Sequence, residues 1–117
     1  MRRGDLHWAD LAPRSGSEKD GRKPVVVVVV TSDGFNRTVS WGSIIVVPVT
    51  TSSRQQSRGP TAVALPAETA GLNKASVVLC HQITTLDRSK IGRRIGTLPK
   101  DLLSEVEDGI RAAIDIE

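Results

Sequence analysis

The chain has 117 residues and a mass of 12.6 kDa, a size that fits one domain over residues 1–117 with a modest core. Hydrophobic residues make up 38% and charged residues 25%, which excludes a disordered tail; sixteen Lys and Arg against 13 Asp and Glu leave +3, which permits a polyanionic partner without requiring one. One cysteine excludes an intrachain disulfide, and one Cys with two His is a poor supply for a closed zinc site, so no metal and no other cofactor is expected. In chain order, the basic start Met1-Arg2-Arg3 is followed by Gly4-Asp5-Leu6-His7, where a secretory signal would need an apolar stretch. A cytoplasmic protein is therefore expected. Leu6 and Trp8 alternate with His7 and Ala9, the period of a first strand, with Leu11 a further candidate for the Leu6 face. Ala12 to Lys23 is a polar, glycine-containing loop, and Pro24 opens a run of six valines, Val25 to Val30. That run is far short of the roughly 20 apolar residues that cross a bilayer, so no membrane contact is expected. Its lack of polar alternation predicts a central strand buried on both faces.

Ser32-Asp33-Gly34 is turn chemistry. Ser43 to Thr50 is a second β-branched run, in which Pro48 predicts an edge or a bulge. Thr51 to Pro60 carries no aliphatic side chain and reads as a surface loop. Thr61 to Leu65 predicts a short strand, Ala70 to Asn73 a turn, Ser76 to Leu86 one strand region, and Ile91 to Leu98 a last strand. Pro99 and Asp101 suit the first turn of a helix, and Leu102, Val106, Ile110 and Ala113/Ile114 form one apolar stripe along it. Gly109 weakens that helix by roughly 1 kcal/mol. The expected plan is a mostly β fold, a small twisted sheet or barrel of short antiparallel strands, closed by a C-terminal α-helix.

An ordered set of motifs resembles the MazF/PemK-type toxins of type II toxin–antitoxin systems. Arg3 to Pro13 (RGDLHWADLAP) is similar to that family's first strand, and Gly16-Ser17-Glu18 to its GSE loop. A basic pair, Pro24 and the valines resemble its R-P-V-x-V-V strand; Asp33 to Arg37 resembles N-D-x-x-N-R. Val47 to Thr51 resembles V-P-x-T-T, and Gln82 to Asp87 resembles Q-I-x-T-I-D. The resemblance implies an SH3-like barrel of the MazF/CcdB type and a homodimer. It also implies a metal-independent endoribonuclease for single-stranded RNA, and neutralisation by a cognate antitoxin with a flexible C-terminal segment. By the same resemblance the catalytic residues are Thr50 and a cation before Pro24. The family's arginine position holds Lys23 here, with Arg22 one residue earlier.

Such cleavage uses the 2′-OH of the substrate as nucleophile. The protein must help remove its proton, stabilise charge on the phosphate and protonate the leaving oxygen. Thr50 can donate to a phosphate oxygen; an Arg grips phosphate bidentately, whereas Lys is a point charge whose pKa falls when desolvated. Glu18, Arg14, Ser17, Thr51 and Arg54 are the expected RNA-binding residues, Arg14, Arg54 and Arg58 by drawing in the backbone electrostatically. His7 and His81 lie within strand patterns and read as packed or surface histidines, and Cys80 as a core thiol. Trp8, Trp41 and Phe35 are the only aromatics. If Trp8 and one other serve the core, base reading falls to loop hydrogen bonds rather than stacking. Two other readings stay open on these residues: a CcdB-like toxin that binds gyrase, and a non-catalytic SH3-like interaction module.

Overall fold

The structure is a computed structural model that describes residues 1–11, 24–51 and 59–116. Among them, strands β1 (Asp5–Ala9), β2 (Val25–Val29) and β3 (Ser43–Thr50) lie side by side. Their antiparallel register pairs Leu6 with Val28 and Val28 with Val47. Residues of that set face one core with Val63, Leu65, Val78, Leu98 and Val106. The alternate residues Ala9, Val27, Val29, Ile44 and Val46 fill a second core on the opposite face. Two buried faces are why the valine run shows no polar alternation.

After β2 the chain makes a short helix, α1 (Asp33–Asn36), where the sequence suggested only a turn. Ser32 caps it, its hydroxyl accepting from the Gly34 amide at 3.3 Å. Strands β4 (Ala62–Leu65), β5 (Ser76–Leu79), β6 (Thr84–Asp87) and β7 (Ile91–Thr97) follow, then helix α2 (Lys100–Ile114). The sheet runs β4-β5-β3-β2-β1-β7, with β6 also on β3. Along one side β3 takes two partners in turn, β6 against Ser43–Val46 and β5 against Val49 and Thr50. The strand region expected over Ser76 to Leu86 is therefore two strands, because the chain moves along β3 from one pairing position to the next between them. Pro48 lies at that change of partner. It sits in a central strand rather than at an edge, because neither β5 nor β6 pairs with position 48.

The sheet does not close into a barrel; β4 and β7 end it unpaired to each other. In place of a ladder, the turn before β5 lies against β7. Gly71 has φ +84°, and a Cβ there would strike the Ile95 carbonyl; a Cβ on Gly96 would strike that of Ala70. Two glycines thus allow backbone to approach backbone where hydrogen bonding stops. Helix α2 buries Val106 and Gly109, with Leu102, Leu103 and Ile110 packed on the core. Ile114 is half exposed, so the apolar stripe ends before the helix does.

Candidate active site

Thr50 is the last residue of β3 and lies half-buried opposite Val77 of β5. Register places even-numbered β3 residues on the face of Val27 and Val29. Thr50 therefore belongs to the second core's face, at the last position of the strand. Thr51 follows, exposed, and lines a cleft on the other side of the sheet. Lys23, Arg22, Glu18, Arg14, Ser17 and Arg54 lie outside the described residues, so only the two threonines of the expected site are placed.

The cleft has a volume of about 460 Å³. Its floor is Val26, Leu72 and Ile95, its wall the half-buried indole of Trp8, and its rim Lys74 and Arg93. None of these three cleft side chains is among the expected site residues. Trp8 was weighed only as a strand residue that could serve the core, and the signal for Arg93 was present but weak: two adjacent arginines in a strand must point to opposite faces. Arg93 borders the cleft, whereas Arg94 reaches Asp5 on the far side, 3.4 Å from Nε to Oδ2.

The other two aromatics are elsewhere. Phe35 and Trp41 stack at 4.4 Å between ring centroids, both largely exposed. Arg88 holds that segment by donating to the carbonyls of Phe35, Asn36, Thr38 and Trp41 at 2.9–3.2 Å. His7 is buried, and its Nδ1 lies 2.9 Å from the Gly92 carbonyl. A carbonyl only accepts, so the Nδ1 proton sits there. His81 is exposed, 3.5 Å from the Thr61 hydroxyl. Cys80 is fully buried, and burial pushes its thiol up to about 11. Among the described residues no three His, Cys, Asp or Glu side chains group as metal ligands.

A family model described as PemK-like, MazF-like toxin of type II toxin-antitoxin system matches residues 2–114. The chain belongs to that family. Endoribonuclease MazF6 of Mycobacterium tuberculosis is 37% identical over 114 residues, 97% of this chain and 96% of the relative. The MazF structure from Deinococcus radiodurans superposes with a TM-score of 0.78 at 26% identity, covering 99% of this chain and 97% of that one. A mycobacterial endoribonuclease solved in complex with its cognate antitoxin shares the fold, with a TM-score of 0.73 at 19% identity over 100% and 95% of the two chains.

In this PemK/MazF chain the motifs that carry the resemblance divide by task. Arg3-Gly4-Asp5 is architectural. Gly4, at φ +95°, donates its amide to Val29 at 2.7 Å and accepts from Leu98 at 3.0 Å, tying β1 to β2 and to the start of α2. Arg3 pairs with Glu107 of α2, and Asp5 is buried beneath the Arg2 amide, Thr97 and Arg94. Asp33 ends the same corner, accepting from the Arg3 amide at 2.7 Å and from Asn36 at 3.1 Å, and these bonds hold its carboxyl below the usual range. Thr50-Thr51 stands at the end of β3, and Thr51 shares its cleft with Trp8 and Val26 of the other motifs.

Proposed function

We propose that this chain is the toxin of a toxin–antitoxin pair and an endoribonuclease that cuts single-stranded RNA without a metal ion. The observation that carries the reading is the position of Thr50, at the end of β3 on one sheet face, next to a cleft rimmed by cations on the other. The 2′-OH attacks the adjacent phosphate, a pentavalent intermediate forms, and the 5′-oxygen leaves. Thr50 donates to a phosphate oxygen as charge accumulates, and Lys23 or Arg22 supplies the balancing positive charge. Glu18, Arg14, Ser17, Thr51 and Arg54 bind the RNA on either side. The protein acts in the cytoplasm, where its substrate is; no helix among the described residues is long and apolar enough to cross a membrane.

We further propose that it works as a C₂ homodimer and is silenced by an antitoxin whose flexible C-terminal segment lies along the same basic loops. The exposed Phe35–Trp41 stack, with Val39 at 87% exposure, fits burial against a second copy. Sedimentation at micromolar concentration checks the dimer; a monomer throughout would sink it.

The deciding experiment is cleavage of a long mixed-sequence RNA by purified protein in excess EDTA. Short-motif cleavage leaving a 2′,3′-cyclic phosphate, or its 3′-phosphate, and a 5′-OH supports the reading. Intact RNA, or cleavage abolished by EDTA and restored by a divalent cation, refutes it.

A further inference from the structure

We propose that the cleft between β1, β7 and the 71–74 turn is a nucleotide subsite, taking one base against Trp8 and its phosphate on Lys74 and Arg93. This rests on the ribonuclease reading and adds to it a second binding position, on the sheet face opposite Thr50.

Three observations carry it. The first is the lining. Val26, Leu72 and Ile95 make an apolar floor beside an indole, while Asn73 and Thr51 add hydrogen-bonding groups at its edge. An apolar surface with a few convergent polar groups is what a base needs, and about 460 Å³ lies within the range of small-molecule sites. The second is charge. Among the described lining residues both ionisable groups are cations and none is a carboxylate, so an anion is favoured at the rim. An aromatic wall with cations beside it is the combination that holds single strands, by stacking and phosphate contact together. The third is continuity. Thr51 lines the cleft and is bonded to Thr50, so a strand that crosses the end of β3 meets both faces.

The cleft is also built to keep its shape. The Gly71–Ile95 and Gly96–Ala70 contacts fix its turn against β7. Ser76, itself buried, donates to the Lys74 carbonyl at 3.0 Å, anchoring the backbone that carries the lysine. A preformed site loses less entropy when its ligand binds.

An all-deoxy oligonucleotide of mixed sequence separates this from the catalytic reading, since it lacks the 2′-OH and stays intact. A Trp41→Phe background leaves Trp8 as the only indole. Titration should then shift or quench Trp8 emission saturably. Lys74→Ala with Arg93→Ala should weaken the binding about tenfold or more and lower its salt dependence by one to two counterions. With RNA, the same pair should raise KM, leave kcat near wild type and relax preference at one position flanking the cut. The thermal midpoint should stay unchanged, because both side chains are exposed. Trp8→Phe, which keeps a ring, should bind more tightly than Trp8→Leu. Unaltered Trp8 emission, or equal affinity with and without the two cations, overturns the subsite even where RNA is still cut. Quenching of Trp8 by an acidic antitoxin peptide but not by the oligonucleotide overturns it as well, and assigns the cleft to protein. If RNA is not cut at all while the deoxy oligonucleotide binds as described, the subsite stands and the nuclease reading falls.

Discussion

Gly109 of α2 sits directly over Cys80 at the end of β5: a Cβ on the glycine would stand 2.7 Å from Sγ and 3.1 Å from the cysteine's own Cβ. The residue that helix propensity marks as a weak point is thus a place where the helix packs tightly on the end of β5. Gly109→Ala gains roughly 1 kcal/mol in propensity, but overpacking costs about 1–3 kcal/mol. The substitution should therefore leave the protein no more stable and up to about 2 kcal/mol less stable. Denaturant unfolding checks this. Removing Sγ should relieve the clash, so Gly109→Ala should be less harmful, or even stabilising, in a Cys80→Ala background. Additivity of the two changes would mean that the contact does not govern this position.

The same burial sets a pH limit. The Cys80 thiol is raised from 9.0 to about 11 by desolvation, so it stays protonated in the fold at pH values where the unfolded chain ionises. A raised pKa means that its stability contribution is intact below about 9 and is lost as pH climbs through 11. Stability should fall across that window more steeply in wild type than in Cys80→Ala. A thiol reagent at pH 8 should react only as fast as the protein opens. Rapid modification of the native protein would contradict the burial.

Asp5 is the third test. It is 2% exposed and accepts from the Arg2 amide at 2.9 Å and from Thr97 at 2.7 Å, with Arg94 at 3.4 Å. Asp5→Ala leaves the Arg2 amide and the Thr97 hydroxyl without their acceptor, at about 1–3 kcal/mol for a donor left unsatisfied, whereas the exposed Arg94 is left to solvent. A large loss of stability is expected. The remaining folded fraction should keep its cleavage pattern, because Asp5 serves the corner where β1, β7 and α2 meet. A stable Asp5→Ala protein with altered RNA specificity would move this residue into the site.

Much of this fold was legible because its local signals agreed. The valine run had to be central, since nothing polar interrupts it, and the 102–106–110 spacing had to be a helix face. The errors came where tertiary pairing overrode local sequence. Pro48 is permitted in a central strand because β3 changes partners there, and Ser76 to Leu86 breaks in two for the same reason. Pro48, which has no N–H to donate, marks the first event without showing that the strand is central, and nothing in 76–86 marks the second. The open sheet was hidden too, because its ends meet through Gly71 and Gly96, and a glycine does not announce what approaches it. At the site, Thr50-Thr51 was legible only through the family pattern. Trp8 and Arg93 were not, because a cleft wall and a core position share the same alternation.

The last prediction separates the two threonines and the two cations. Thr50 and Thr51 are neighbours on opposite faces, so their losses should differ in kind. Thr50→Ala should lower kcat by roughly 10²–10³, the scale for one donor to a developing oxyanion. Thr51→Ala should act mainly on KM, since Thr51 borders the cleft. Arg22 and Lys23 are adjacent, and Lys23 stands where the family resemblance puts the arginine. Lys23→Ala should therefore carry the larger loss in kcat, and Lys23→Arg should keep or raise activity by gripping phosphate at two points. Single-turnover cleavage of one labelled RNA by the variants measures all of this. An active Lys23→Ala with an inactive Arg22→Ala reverses the assignment of the cation. Wild-type rates for Thr50→Ala and for both cation variants would place the chemistry elsewhere on the molecule.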